Sequence, residues 1–578
     1  MNVPSAGRLR DPLTAAALFL ASAAFTLWQN TRVGVLWDLS YLLDSSFRIS
    51  LGQLPYHDFP FAHAPLTFLL HAAILHIFGR VYYPHILCAA LEAGAATLLT
   101  WRILRNLVNQ EEVVILAKLE SPYLSFDTSS RPWFLATVLA APLIFLGIYG
   151  IYPHPIYDSD CILAALAALY LLQRAGDSPW RNAVAGAACV LPLLFKQNIG
   201  LPFLAITLLA VTSLAAIRRM NHLTVAPQLC LFAGAATALA AALLALHASV
   251  GLDNYLYWTV TFAAQRRLPS LSLILAIYRQ TALLWTLPAA IAGVVVVRVE
   301  RLPSRWTRPA AFLLLTAPFL WTIADLALTA DPDDRSDQIL SLWPHLLILA
   351  TILALYNLRP RHLKANLNLN PLLPLILLAT IHGTFLSQQL WGSTYAIWPL
   401  LILLIPAMLA QIPALARPLA ATIAATFLLC GGLYAIGHER LSYIHLDGPE
   451  ARATLPELRG LTTPGPWIPE FEELVRFTNT EIPTDDGILL LPGEVPFYFA
   501  TGRTPHFPVL LFDTATDPYT PQQTLDEARV YNIRWLIVTR NLQLADSPKP
   551  DLPEVLRALQ LDFAPYRTLT NYDIYRRK

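Results

Sequence analysis

The chain is predicted to be a polytopic α-helical membrane protein of about thirteen spans, with juxtamembrane helices in its first outer loop and a small C-terminal α/β domain. Three observations carry that expectation. Of its 578 residues, 55% are hydrophobic and only 14% charged, against roughly 25% charged in ordinary globular proteins. Long Leu, Ala and Ile runs recur between residues 11 and 436, where a β-barrel would show alternating segments of about ten residues. From residue 437 onward Pro, Asp, Glu and Thr rise, and no run is long enough to span. The expected division is a membrane part over 1–436, with its first outer loop at 31–81, and an extracytoplasmic domain over 437–578.

Arg8 and Arg10 precede the first run, 11–30. Its start imitates a signal peptide, but the run continues to Trp28 and many others follow, so it reads as a retained anchor. Cytoplasmic loops carry excess Lys and Arg, which places these arginines inside and the loop that follows outside. The next apolar stretch, 66–78, contains His71 and His76 and is too short to span, a length that suits an interfacial helix. Taken as non-spanning, it leaves 82–101 as the second span, ending at Arg102 and Arg105 inside. The alternation continues through 132–152, 161–173, 183–195, 199–217 and 225–249. It keeps Arg174, Arg181, Arg218 and Arg219 inside and the loop 250–270 outside. Further spans place Arg298, Arg301, Arg305 and Arg308 inside, ADPDDRSDQ outside, Arg359, Arg361 and Lys364 inside, and QQLWGSTYAIWP outside. The last span, 415–436, makes the count odd and puts the C-terminal tail outside. The mixed-charge segments 105–131 and 359–370 read as cytoplasmic loops.

In the tail, GILLLPG (487–493) and RWLIVT (534–539) read as short buried strands. Stretches 469–478 and 521–531 read as helices, and YRTLTNYDIYRR as a closing hairpin. All five cysteines (Cys88, Cys161, Cys189, Cys230 and Cys430) lie in apolar runs, where small buried packing is their expected role. No Cys or His spacing of a metal site occurs. The formal net charge of +1 creates no field that favours nucleic acid.

The chemistry concentrates in WDLSYLLDSSFRISLGQLPYHDFPFAHAPL, residues 37–66. Carboxylates beside a membrane span are costly to desolvate and usually functional. Asp38 has no basic residue three or four positions on and shares a helix face with Tyr41. Asp44 is followed four residues later by Arg48, the spacing of a helical ion pair. Asp58 follows Pro55, Tyr56 and His57, where capping a turn is an equal reading. Tyr157-Asp158-Ser159-Asp160 precedes the 161–173 run; one acid caps a helix, and two are more than a cap needs. Lys196 stands between two apolar runs, so it meets an anion or snorkels to the outer headgroups. Arg266 and Arg267 sit in an outer loop against the positive-inside tendency, explained by an anion partner or a headgroup contact. Acids and cations thus gather on one membrane face, which is the equipment for taking a sugar from a lipid phosphate. A positioned Asp removes the acceptor proton, worth about 10²–10⁴-fold. Lys or Arg stabilises the charge growing on the leaving phosphate. A single base without a covalent intermediate implies inversion at the anomeric carbon.

The pattern D-x-x-Y…G-x-x-P-Y-x-D-F…H-x-P-L, formed by Asp38, Tyr41, Gly52, Pro55, Tyr56, Asp58, Phe59, His63, Pro65 and Leu66, resembles the first outer loop of the GT-C superfamily. Within it the pattern is similar to the protein O-mannosyltransferase/aminoarabinose transferase-like family (glycosyltransferase family 39-like). The resemblance implies an integral-membrane, hexosyl- or pentosyl-transferring enzyme that uses a polyprenyl-phosphate donor. It puts the catalytic acid of the first loop on Asp38, and that of the second on Asp158 or Asp160. The lysine after the fifth span falls on Lys196. Tyr41, Tyr56, Asp58, His63, Asp160, Lys196, Arg266 and Arg267 are the expected substrate-binding residues. Leu39 stands where many relatives carry a second acid, and His63-Ala64-Pro65-Leu66 replaces the double proline of some. A bacterial plasma membrane, with the C-terminal domain in the periplasm, is also implied. No cofactor is demanded, a divalent cation is left open, and the acceptor is a protein, lipid or glycan hydroxyl.

Two other readings compete. A flippase for lipid-linked sugars also uses intramembrane charges, but no convincing internal repeat is evident and the charges gather at one face. A non-catalytic scaffold leaves the juxtamembrane acids and outer arginines without a purpose.

Overall fold

The computed structural model describes residues 6–118, 130–150, 152–298, 304–329, 342–358, 369–386, 395–436, 441, 443–514 and 516–578. The expected outer segment ADPDDRSDQ, the inner residues Arg301, Arg359, Arg361 and Lys364, and residues 388–394 lie outside these. Among the described residues six helices are long and apolar enough to cross a membrane by length and composition: Arg10–Asn30, Tyr83–Asn109, Gln197–Met220, Ala226–Val250, Arg305–Leu328 and Ala416–Leu433. Shorter apolar helices, among them Pro132–Ile144, Leu283–Val297, Leu342–Asn357, Asn370–Thr384 and Trp398–Leu409, pack with them. The chain is therefore a polytopic helical protein, with a small C-terminal α/β unit. Pro202, Pro288 and Pro318 lie inside helices, as membrane helices tolerate.

In chain order the first helices are α1 (Ala6–Asn30), α2 (Leu36–Ser50), α3 (Leu66–Phe78), α4 (Tyr83–Lys118), α5 (Ser130–Ala140), α6 (Tyr157–Ala175), α7 (Pro179–Ala188), α8 (Leu191–Phe195), α9 (Gln197–Met220) and α10 (Ala226–Val250). Two expectations are corrected here. Residues 105–118 continue α4 as helix instead of forming a loop. The run at 132–152 gives up α-helix at Ala140 for a 3-10 turn, Ala141–Ile144, with Pro142 near its start. The segment 250–270, expected as an outer loop, is largely helical, with a π turn over Tyr257–Phe262.

Helix α3 has 13 residues and stops at Gly79, φ 75°. That is about 20 Å of helix, too short for a hydrocarbon core of about 30 Å. It packs against α2 and lies beside α4, where His71 Nδ1 meets His85 Nδ1 at 2.7 Å.

The C-terminal unit pairs β1 (Glu450–Arg452) with β2 (Thr462–Pro464) and builds a four-stranded sheet from β3 (Gly487–Leu491), β4 (Ile533–Thr539), β5 (Phe563–Thr568) and β6 (Tyr572–Arg577). The order is β3-β4-β6-β5. β3 and β4 are parallel, and β5–β6 is the expected hairpin. Helices Trp467–Glu481, Pro521–Val530 and Leu552–Leu559 accompany the sheet. Leu489 and Leu491 pack with Leu525, Ile533, Val555 and Leu559, and Ile488 and Leu490 pack toward α2. Both faces of β3 are thus buried, which suits an uninterrupted apolar strand.

The unit does not hang from a linker; it is seated on α2. Leu36, Leu39, Leu43 and Phe47 share one helical stripe and are buried with Phe471, Leu474, Phe497 and Ile537. Burying each such side chain contributes about 1.5–3 kcal/mol. Polar stitches fix the register. Leu36 N–H donates to Gln543 Oε1, whose amide donates to Gly34 O, and Ser40 Oγ donates to Gly493 O. Gly493 has φ 92°, and a Cβ there would meet Leu510 O at 1.9 Å, so only glycine fits.

Asp44 and Arg48 do not form the ion pair that their spacing predicts. Asp44 Oδ1 accepts from Phe499 N–H at 2.7 Å and Oδ2 from Tyr498 N–H, while Arg48 Nη1 donates to Pro508 O at 2.6 Å. Each found a backbone partner in the C-terminal unit. Burial pushes the Asp44 carboxyl up to about 8, against the opposing pull of the Phe499, Tyr498 and Phe497 amides and of Arg48. Its folded-state value exceeds its unfolded one, so the folded state holds a proton that the unfolded state releases. Seating of the C-terminal unit is then strongest below about pH 4 to 5, as far as this group is concerned, and weakens as pH rises toward 8. Protease nicking of the C-terminal unit should rise between pH 5 and 8 in the wild type. In Asp44→Asn that part of the pH dependence should vanish; an unchanged profile would exclude Asp44 as its source.

Candidate functional site

The site begins at a break in the helical backbone. Helix α8 ends at Phe195 and α9 starts at Gln197, leaving Lys196 extended (φ −151°, ψ 111°). Gly200 allows the two helices to touch, since a Cβ there would lie 2.2 Å from Leu193 N. Lys196 is 6% exposed and its Nζ donates to Asp158 Oδ1 at 2.6 Å. Asp158 sits in the first turn of α6, where the helix dipole favours an anion. The Tyr157 ring lies 4.8 Å from Lys196 Nζ, and the His63 ring stacks obliquely on Tyr157 at 4.4 Å. A lone buried cation or carboxylate is costly; the pair is what makes either tolerable.

His63 is held from several sides. Tyr41 Oη meets its Nδ1 at 2.7 Å, and Tyr56 Oη donates to its carbonyl at 2.6 Å. Tyr56 itself has φ 68°, a conformation that a bulky residue adopts only under constraint. Phe59, Phe61 and Phe68 pack around these rings. Tyr41, Tyr56 and His63 therefore come together at one place, as a support for the Lys196 end.

That end opens into a cavity of about 360 Å³. Its polar end carries His63, Tyr157, Lys196 and Gln197, and its walls are apolar, with Leu239 and Leu243 among them. Gln197 bridges Ala62 O and Thr259 O, tying the first outer loop to the 252–267 segment.

Asp38 lies in the first turn of α2, a quarter exposed. His154 Nε2 is 3.2 Å from its Oδ2, and Tyr443 Oη donates to the same oxygen at 3.2 Å. His154 is fully buried, and Asp38 is one of the charges acting on Asp158. Neither His154 nor Tyr443 was expected from the sequence. His154 stands in YPHPIYDSD, between two prolines and just before the acids, and that context was the available signal. Tyr443 reaches Asp38 across 405 positions of chain, and no local pattern reveals it.

The remaining expected residues are placed elsewhere. Asp160 Oδ2 accepts from Thr67 Oγ1 at 2.5 Å, and the carboxyl is buried next to Glu92. Glu92 in turn accepts from Tyr149 Oη at 2.6 Å. Among the described residues no ion pair reaches Asp160, so it ties α3 and α6 together. Asp58 closes its turn by accepting from Leu54 N–H at 2.6 Å and meeting His57 Nδ1 at 2.7 Å. Arg266 is drawn to backbone carbonyls of the C-terminal unit, Asp517 O at 2.7 Å and Thr514 O at 3.4 Å. The side chain of Arg267 lies outside the described residues. Of the expected cations, Lys196 alone among the described side chains reaches the Asp158 carboxylate. Among the described residues no group of three His, Cys, Asp or Glu side chains is placed to hold a metal ion.

No family model matches the sequence, and no curated protein matches it. Solved structures do. ArnT from Cupriavidus metallidurans, bound to undecaprenyl phosphate, is similar over 99% of this chain and 98% of its own, at 11% identity and a TM-score of 0.45. The Archaeoglobus fulgidus oligosaccharyltransferase, tethered to an acceptor peptide, is similar over 98% of this chain and 74% of its own, at 12% identity and 0.42. AglB from the same organism, with an inhibitory peptide and dolichol phosphate, is similar over 91% and 69%, at 11% identity and 0.41. At these identities and scores the functional reading rests on this chain's own side chains.

Proposed function

We propose that the chain is an inverting glycosyltransferase of GT-C type that moves a sugar from a polyprenyl-phosphate donor to an acceptor hydroxyl. The observation that carries this reading is the buried Lys196–Asp158 pair at the polar end of an otherwise apolar cavity. Such a cavity fits an isoprenoid chain, and its cation fits the phosphate at the head of that chain. In this reading Lys196 stabilises the phosphate charge as the C–O bond to the sugar breaks. Asp38, partly exposed beside the pair, takes the acceptor proton as the new bond forms. Tyr443 holds the carboxylate that does so by its hydrogen bond, and the buried His154 ring lies beside it. Attack from the face opposite the phosphate inverts the anomeric centre. Asp158 holds Lys196 in place, and acts through it. The reading includes a bacterial plasma membrane, with the site and the C-terminal unit on the periplasmic side.

The test is transfer by the purified protein in liposomes that contain polyprenyl-phosphate sugars and candidate acceptors. Donor consumption with release of polyprenyl phosphate is expected. If lipid-linked sugar instead crosses the bilayer unconsumed, the chain is a flippase. Leu239→Trp, which fills part of the cavity wall, should raise KM for long-chain donors more than for a truncated prenyl donor and leave kcat nearly unchanged. Equal effects on both donors would place the isoprenoid elsewhere.

A further inference from the structure

Helices α6 and α9 carry Asp158 and Lys196 near their first residues. Their far ends enclose a second cavity of about 240 Å³, in which the proposed chemistry has no part. Leu172 and Gln173 of α6, Asn182 of α7, Arg218 of α9, Gln228 of α10 and Ile376 line it. At 1.5 Å per residue along α6, it lies roughly 20–25 Å from Asp158, across the helix bundle. Apolar side chains such as Leu172 and Ile376 share its lining with the polar ones, the mixture that an amphiphile meets.

Among the described residues, two polar groups in this cavity are buried without a partner. Gln228 is 6% exposed, and its Oε1 accepts nothing. Gln173 Nε2 donates to nothing, although its Oε1 accepts from Asn106 at 3.1 Å. Each such orphan is costly, where leucine would cost nothing. Arg218, also in the lining, donates to Asp177 Oδ1 and to Thr224 O, both at 3.0 Å. Asp177 is 74% exposed, so an anion that displaces it from Arg218 leaves it well hydrated. The Asn182 amide is already committed to Gly176 O and Ser178 O, each at 2.9 Å, and shapes the wall.

We infer that this cavity binds a phosphodiester headgroup of a membrane lipid. The phosphate accepts from Arg218 and Gln173 Nε2, and a hydroxyl or ammonium on the headgroup donates to Gln228 Oε1. The methylenes next to the phosphate lie against Leu172 and Ile376. A soluble glycerophosphoester offers the same polar groups without the methylenes. The inference does not depend on the transferase reading.

The experiment titrates delipidated full-length protein in detergent with short-chain phosphatidylglycerol, diacylglycerol of the same chain length, and glycerol 1-phosphate. Thermal midpoint and native mass spectrometry report binding. Phosphatidylglycerol should raise the midpoint of the wild type. Arg218→Gln and Gln228→Leu should each weaken that response about tenfold. Arg219→Gln, one residue on and not among the lining residues, should leave it unchanged; Gln228→Leu keeps the packing, which guards against simple misfolding. A response to glycerol 1-phosphate with the same sensitivity to the variants keeps the site and assigns it a soluble phosphoester. Equal stabilisation by diacylglycerol, equal loss in Arg219→Gln, or no response to any probe overturns the inference.

Discussion

Asp38→Asn is expected to lower sugar transfer by about 10²–10⁴-fold, the usual worth of a positioned general base. Asn keeps an oxygen for Tyr443 and the same shape, but it cannot accept a proton. Donor affinity should change little, because Asp38 is not among the residues that line the cavity. The loss should therefore fall on kcat, with the thermal midpoint close to wild type for a side chain that is a quarter exposed. Measuring kcat, KM and midpoint together separates this from a folding defect. Full activity in Asp38→Asn would remove Asp38 from the chemistry. Tyr443→Phe should cost less, up to about tenfold, because it takes away one hydrogen bond to the base and leaves the base itself.

Lys196→Gln carries the second large effect, and it should act on stability as well as on rate. Lys196 and Asp158 are both almost fully buried, 2.6 Å apart. Removing one partner of a buried pair leaves the other charge uncompensated, a loss of about 3–5 kcal/mol. Lys196→Gln should thus lower the thermal midpoint sharply and abolish transfer. Combining it with Asp158→Asn removes both charges and should restore much of the midpoint. It should not restore activity, because no cation then faces the phosphate. Recovery of transfer in the double variant would reduce the pair to a structural tie. Failure to recover the midpoint would show that the pair is not what holds α6 to the α8–α9 break.

Much of this arrangement is legible in the sequence. Apolar runs of span length and the excess of arginine at alternate ends mark the helices, since hydrocarbon accepts few other sequences. The 66–78 segment was legible as a surface helix from its length alone. The short apolar runs GILLLPG and RWLIVT and the stretches 469–478 and 521–531 marked strands and helices that do form. Asp38, Asp158 and Lys196 were legible because an ionisable group beside an apolar run needs a reason to be there.

The sequence could not tell which acid has which partner. Asp44 and Arg48 have ideal helical spacing, yet each bonds to backbone more than 450 positions away. The buried carbonyls and amides of the C-terminal unit had to be satisfied, and Asp44 and Arg48, both buried, lay within reach of them. Arg266 was drawn away by the same demand, at Asp517 O and Thr514 O. Asp58 went to its own turn, where Leu54 N–H was within reach. The partners of Asp38 come from two distant segments, His154 before α6 and Tyr443 after the last membrane helix.

By itself, then, the sequence determined the solvent of each segment and the stock of charged groups on one face, because hydrophobicity and charge are properties of single residues. The tertiary structure decided which of those groups meet. Pairing depends on distances between segments hundreds of residues apart, and a buried polar group takes whichever partner the packed helices bring within hydrogen-bond reach.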